Sequence, residues 1–576
     1  MSEHFDVVVV GSGFGGSVMA YELAKAKMKV CLLERGQAFP PGSFPRSPRE
    51  VARNFWDPSE RLYGMFDLWS FRKSEAVVAS GLGGGSLIYA NVLIRKPAAW
   101  FERDLAGGAR GPWPLSYTAL EPHYEEVERM LGGQVYPSSD LPKEATTKAR
   151  AFAEAAAKVG LNPYYPLLGV SFANPGRRPA MGEPIRETEP NLHNAPRSTC
   201  RHCGECDIGC NYGSKNSLDF NYLSAAKRLG TDCRTLCEVR SISPIDHSDP
   251  SRGYEVSYVR HTPLAQMPSS HLPLDVMTCD RLILCAGTLG TSYLLLKNHH
   301  RFPRISHLLG SGYSTNGDLL AFVMRCRDGT SRPPQPRVLD PSRGPVITTS
   351  AQIDFGPGRG GMIQDAGYPE FVNWLVEASD MGGVMPRALR FVINRIHAWW
   401  SASPRSEFGF EIAKLLGPAA LSSSSLPLLG MGCDKADGRL RLRKAQRGSA
   451  YLDVDWTSRH SAECFDTLTE WCRKIAVEMG GTLASNPLTR YLQRIITVHP
   501  LGGCPMGKDA HSGVVGTDGE VFHYPNLYIA DGSIMPGPVG ANPSLTIAAM
   551  SRLIAQGIID RRNGSNTPQE GLRHDQ

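Results

Sequence analysis

The sequence predicts an α/β fold whose parallel sheet is assembled from discontinuous pieces of chain, joined to an α+β portion containing an antiparallel sheet. Three observations carry that expectation. The short apolar run Val7 to Val10 breaks into a glycine-rich turn and then a helix-forming stretch. Two more runs of this kind, Arg281 to Cys285 and Asn526 to Ala530, lie far along the chain and end in small residues. Between about 320 and 490 the pattern changes to Pro/Gly interruptions, a serine tract at Ser422–Ser425 and alternation such as Leu440-Arg441-Leu442-Arg443. Such alternation suits antiparallel strands with one solvated face.

Phe5 to Val10 reads as a strand buried on both faces, as a strand inside a parallel sheet must be. Gly11-Ser12-Gly13-Phe14-Gly15-Gly16 ends it, and Ser17 to Lys27 can continue as a helix with Val18, Tyr21 and Leu23 available for burial. Val30-Cys31-Leu32-Leu33 makes a second strand with Glu34 at its end. Gly11, Gly13 and Gly16 fill the glycine positions of a dinucleotide-binding turn. The first permits the tight turn, the second lets backbone approach a pyrophosphate, and the third lets helix and strand pack closely. The helix N-terminus then offers N–H groups and its dipole to the anion. Glu34 stands where a carboxylate binds ribose hydroxyls, and it repels a 2′-phosphate, which disfavours NADP. NAD and FAD share this fingerprint. A denser glycine loop, Ala79 to Asn91, favours FAD: Gly81, Gly83, Gly84 and Gly85 let backbone lie flat against a large rigid ligand such as an isoalloxazine. Leu87, Ile88, Tyr89 and Val92 around it make it a buried loop.

A chain of 576 residues exceeds one ordinary domain. The expected division is a cofactor-binding part at 1–319 with a Cys-rich insertion near 195–215, a substrate-binding part at 320–489, and a returning cofactor-binding part at 490–576. The 62 basic and 56 acidic residues leave a net charge of +6. That gives no nucleic-acid footprint, and no nucleic-acid partner is expected. Asp6 follows the start almost at once and no apolar run reaches 18 residues. Neither a secretory signal nor a transmembrane helix is therefore expected, and the expected location is cytoplasmic. Among the 14 Cys, reduced thiols or metal ligands are then expected before a disulfide framework.

The chain resembles the GMC (glucose-methanol-choline) oxidoreductases, in their bacterial, cholesterol oxidase-like branch, over nearly its whole length. The resemblance rests on Gly11–Gly16, on Gly83-Gly84-Gly85-Ser86-Leu87-x-Tyr89-Ala90-Asn91, on Cys285–Thr291 and on Ser314-Thr315-Asn316-Gly317-Asp318. Two C-terminal segments complete it, Val498-His499-Pro500 running on to Gly507, and Gly540-Ala541-Asn542-Pro543 running on to Ile547. It implies a Rossmann-like FAD-binding fold and oxidation of an alcohol to a carbonyl by hydride transfer to flavin. The FAD contacts it implies are Gly11, Gly13, Phe14, Gly15, Gly16 and Glu34, then Gly83, Gly84, Gly85, Ser86 and Asn91, with Gly287 beyond them. By the same resemblance Val239 meets the adenine side through its backbone, Asp531 and Gly532 meet the flavin, and His499 and Asn542 face it as the catalytic pair.

Oxidising an alcohol removes the O–H proton as hydride leaves carbon. A neutral imidazole suits that proton, and an amide donates to the developing alkoxide without competing for it. On residue type alone His499 could be a core histidine, and Asn542 could be a helix N-cap ahead of Pro543. The resemblance makes them base and donor. Cholesterol oxidases also use a Glu near the substrate, which the sequence does not place, Glu370 being a candidate with no motif behind it. Cys200-x2-Cys203-x2-Cys206-x3-Cys210 has the spacing of a bacterial ferredoxin run without the Pro that follows the last Cys. An iron–sulfur cluster, a structural zinc and free thiols all stay open for it. Phe391 to Trp400, with Arg395 and His397 inside and Arg387 and Arg390 ahead, reads as a core helix or as a lid touching a membrane surface. The lid reading favours a lipophilic alcohol, such as a 3β-hydroxysteroid or long-chain alcohol. The electron acceptor is oxygen or, in a dehydrogenase, a quinone or protein reached through the cluster. A flavin-containing lyase and a non-catalytic flavin sensor are the readings from other classes.

Overall fold

Val7, Val8 and Val9 are fully buried in the computed structural model of the chain, as a strand flanked on both sides and covered on both faces must be. The structure describes residues 3–104, 110–141, 147–262, 272–329, 332–369, 423–444, 450–485 and 495–564. Strand β1 (Glu3–Val10) leads through the glycine turn into helix α1 (Phe14–Lys25) and then β2 (Val30–Leu33). Four later strands join the same sheet: β3 (Asp232–Arg234), β4 (Cys237–Pro244), β5 (Tyr254–Arg260) and β6 (Leu274–Leu284). Helix α2 (Gly287–Lys297) follows β6 directly, and β7 (Leu527–Ile529) and α3 (Ser544–Arg562) come from the end of the chain.

The order is β3-β2-β1-β6-β5-β4, with β7 also paired to β6. Val8 sits between Cys31 of β2 and Leu282 of β6, and Leu282 in turn pairs with Leu527, all three pairings parallel. The three apolar runs of the sequence thus lie side by side. Eleven residues let β6 serve two neighbours on one edge, its first half pairing antiparallel with β5 and Leu282–Leu284 pairing parallel with β7. Helix α3 packs against α1, so the two ends of the chain close one core.

A second sheet has six strands, all antiparallel neighbours, in the order Pro163–Tyr164, Ser350–Asp354, Gly360–Asp365, Leu426–Gly432, Leu319–Met324 and Thr482–Ser485. Its period-two pattern decides what it does. Leu319, Val323, Leu426 and Leu428 join the core beneath the helix Ala462–Glu478. Leu320, Phe322, Pro427 and Leu429, from the alternate positions, line a large cavity instead. The run Leu440–Arg443 lies within the antiparallel strand Gly438–Lys444, with Leu440 buried and Arg441 exposed. Among the described residues no helix is long and apolar enough to cross a membrane. Glu370 and Phe391–Trp400 lie outside the described residues.

Candidate active site

The cavity, about 1040 Å³, runs between the carboxyl ends of β1, β2 and β6 and the antiparallel sheet. Two glycine turns form its floor. Gly11 has φ +99°, and a Cβ there would lie 2.3 Å from the Cys285 carbonyl oxygen. A Cβ at Gly16 would fall 1.9 Å from the Gly11 oxygen, and one at Gly15 would fall 1.7 Å from the Ala530 oxygen. These positions exist for close packing of helix on strand. Gly13 differs, with no atom within 4 Å of an added Cβ, and it lines the cavity. The second loop meets the first backbone to backbone, since a Cβ at Gly84 would lie 2.6 Å from the Gly13 Cα. Ser12 stitches the two turns together. Its hydroxyl donates to Glu34 Oε2 at 2.6 Å and accepts from Gly83 N at 3.0 Å. Glu34 also accepts from Ser12 N and Gly36 N, while burial pushes its carboxyl pKa upward.

His499 and Asn542 both line this cavity, brought from segments more than forty residues apart. His499 Nδ1 lies 2.7 Å from Asp318 Oδ1. Asp318 Oδ2 accepts from Thr497 Oγ1 (2.8 Å), Val498 N (2.8 Å) and His499 N (3.1 Å). Asn542 Oδ1 accepts from Gln364 Nε2 at 2.9 Å, so the Asn542 amide turns its NH2 away from Gln364. One loop, Ser314–Asp318, holds both segments. Asn316, at φ +54°, accepts from Val539 N and Gly540 N through Oδ1 at 2.9 and 2.8 Å and donates from Nδ2 to Ala541 O at 2.9 Å. Asp434 fixes the start of that loop by accepting from Ser314 Oγ, Thr315 N and Thr315 Oγ1, and burial pushes its carboxyl up to about 7. Lys96, fully buried, donates to Pro538 O and Val539 O and so anchors the approach to Asn542 from the other side.

Of the residues predicted from sequence to touch FAD, Gly11, Gly13, Phe14, Gly15, Glu34, Gly84, Gly85, Val239, Gly287, Asp531 and Gly532 line the cavity. Val239 stands at a register shift in the β4–β5 pairing, which turns that backbone locally out of the ladder. Gly16, Gly83, Ser86 and Asn91 do not line the cavity and support it from behind. Ser86 Oγ donates to Gly83 O and accepts from Leu218 N, and Asn91 is fully buried at φ +68°. Asp531 is already engaged, accepting from Gly287 N, Thr291 Oγ1, Ser533 N and Ser533 Oγ. Asp318 stood in a motif of the sequence without a role, and Gln364 carried no signal at all.

The residues present fit FAD. Gly13, Gly85 and Gly287 each face open space where a Cβ would stand, giving backbone surfaces that a pyrophosphate and a flat ring can approach. Three polar atoms of cavity-lining residues, Tyr89 OH, Thr288 Oγ1 and Asp207 Oδ1, are buried with no hydrogen-bond partner among the described residues. Buried groups of that kind call for a partner, and a polar cofactor in the cavity supplies one.

The cysteine run behaves otherwise. Among the described residues no three Cys, His, Asp or Glu side chains are grouped so as to hold a metal ion. Cys200, Cys203, Cys206 and Cys210, the possible iron–sulfur ligands of the sequence, are not drawn into such a group. All four are free thiols, and burial raises the pKa of Cys200, Cys203 and Cys206. The loop is held by other means: Cys200 Sγ accepts from His202 N, and the buried Lys215 Nζ donates to Leu87 O, Tyr89 O and Cys206 O. Gly204 and Gly209 adopt positive φ as turns.

Comparison with known proteins agrees with this geometry. Residues 6–163 match the family model described as FAD dependent oxidoreductase, and residues 434–551 match the C-terminal model of the GMC oxidoreductases. The first span holds both glycine turns and Glu34, and the second holds His499 and Asn542. A cholesterol oxidase of Acinetobacter baumannii is 28% identical, covering 95% of this chain and 93% of that protein. One from Mycobacterium tuberculosis is also 28% identical, covering 99% and 95%. The fold is shared with formate oxidase at a TM-score of 0.57 and 13% identity, covering 98% of this chain and 99% of that one. The chain carries an FAD dependent oxidoreductase domain and the C-terminal domain of the GMC oxidoreductases, and it is an FAD-dependent enzyme that oxidises a CH–OH group.

Proposed function

We propose that the substrate is a lipophilic alcohol, a 3β-hydroxysteroid or a long-chain alcohol, oxidised with His499 as the base and Asn542 as the hydrogen-bond donor to its oxygen. The supporting observation is the cavity wall opposite the glycine turns. There the antiparallel sheet and its neighbours present Leu320, Phe322, Pro427, Leu429, Val346 and Ile347. An apolar wall with few polar groups suits a substrate with one hydroxyl on a hydrocarbon body, whereas a sugar would leave most of its hydroxyls unpaired. The relatives named cholesterol oxidase point the same way.

FAD, when bound, supplies the hydride acceptor, and oxygen or another electron acceptor returns it to its oxidised form. The chain's own residues do the rest. The glycine turns at 11–16 and 83–85, with Glu34, Val239, Asp531 and Gly532, hold and orient the cofactor. His499 takes the hydroxyl proton, and the amide of Asn542, oriented by Gln364, donates to the oxygen as it becomes an alkoxide. Residues 1–319 and 490–576 form the cofactor-binding part on this reading, and 320–489 the substrate part.

The test is anaerobic mixing of purified holoenzyme with a sterol dispersed in detergent, a long-chain primary alcohol and glucose. Either lipophilic alcohol should bleach the flavin at far lower concentration than glucose. Bleaching by glucose alone would overturn the substrate class, and no bleaching by any alcohol would favour a lyase.

A further inference from the structure

We propose that Asp318 is a positioning residue that fixes the tautomer of His499, leaving Nε2 as the nitrogen able to accept the substrate proton. The inference rests on the assignment of His499 as the base and adds the group that makes that base competent.

The side chain of Asp318 is 3% exposed, and its two oxygens have different tasks. Oδ2 takes three donors, of which Val498 N and His499 N are backbone N–H groups that cannot reverse their polarity. Oδ1 meets only the imidazole, at 2.7 Å. An ionised carboxylate has no hydrogen to give, so Nδ1 must carry the proton. In the neutral ring the lone pair then lies on Nε2, which has no hydrogen-bond partner among the described residues. The same carboxylate also binds the backbone N–H of His499, so ring and main chain are tied to one rigid acceptor. A plain turn-closing aspartate needs only the backbone contacts. The contact to Nδ1 is what turns it into a control on the base.

The test exploits the polarity of the two oxygens. In Asp318→Asn the two fixed N–H groups keep an oxygen at the Oδ2 position, so the new NH2 faces Nδ1. Nδ1 must then accept, the proton moves to Nε2, and the base is lost. In Asp318→Ala the imidazole is free to adopt either tautomer, and part of the population keeps the useful one. Tautomer control therefore predicts that Asn is the more harmful replacement in the rate of flavin reduction at saturating alcohol. The loss with Asn should be about 10²–10⁴-fold, with flavin content retained and apparent alcohol affinity changed only a few-fold. Asp318→Asn placed in a His499→Ala background should add less than twofold, because it acts only through that ring. A native rate in Asp318→Asn, a loss greater in Ala than in Asn, or a further large loss in the His499→Ala background would overturn the proposal. If Asp318→Asn does not retain flavin, Asp318→Ala carries the test alone: it should slow reduction in the native background and not in His499→Ala. A native rate in His499→Ala itself would instead overturn the base assignment on which this rests.

Discussion

Gly13 and Gly16 belong to one turn and look alike in sequence, yet they are glycine for different reasons. Gly16 is glycine because a Cβ would strike the Gly11 oxygen at 1.9 Å, a clash inside the protein. Gly13 has φ −69°, a value open to any residue, and space around its Cβ position. On the proposed reading it is glycine for the sake of the ligand. Gly13→Val should therefore yield folded protein without flavin absorbance, whereas Gly16→Ala should destabilise the fold by about 3 kcal/mol. Thermal unfolding and the visible spectrum of the two variants check both statements, and retained flavin in Gly13→Val would contradict this reading of the turn. The spacing of the three glycines made this division legible in advance. The engagement of Glu34 by Ser12 and Gly36 was not, because those hydrogen bonds depend on how closely the second glycine loop presses on the first.

At the scale of elements, the loop Ser314–Asp318 decides the geometry of the site. It reaches the His499 segment through Asp318 and the Asn542 segment through Asn316. Replacing Asn316 by Ala would leave Val539 N, Gly540 N and Ala541 O buried without their partner and place Ala in a left-handed conformation. We expect a loss of about 3–5 kcal/mol in urea unfolding, with slower flavin reduction in the variant that folds. A change under about 1 kcal/mol would show that the loop is not the clamp described. This clamp could not be read from the sequence, although its residues stood in a recognised motif, because every partner lies more than a hundred residues away. The strand Leu319–Met324 is apolar on both faces, so its sequence does not tell one face from the other. Which face meets the helix and which meets the cavity is settled only by tertiary packing.

At the scale of the molecule, the sheet gathers β1 from the start of the chain and β7 from its end on either side of β6. The cavity draws its lining from all of these pieces. A cofactor held by residues from both ends should stabilise the whole fold. Protein stripped of flavin should gain about 2.7 kcal/mol at FAD one hundred times its Kd, seen as a melting temperature that climbs with added FAD, and a flat response would contradict a cofactor so placed. The parallel sheet was legible because buried parallel strands read as short apolar runs. The cysteine run was not, because spacing alone does not determine whether four sulfurs converge. The central claim is that this assembled cavity oxidises an alcohol with His499 as base, and anaerobic rapid mixing of His499→Ala with the best alcohol tests it most directly. The variant should keep its flavin and reduce it about 10²–10⁴ times more slowly than the native enzyme. Flavin reduction at the native rate in His499→Ala would contradict the account.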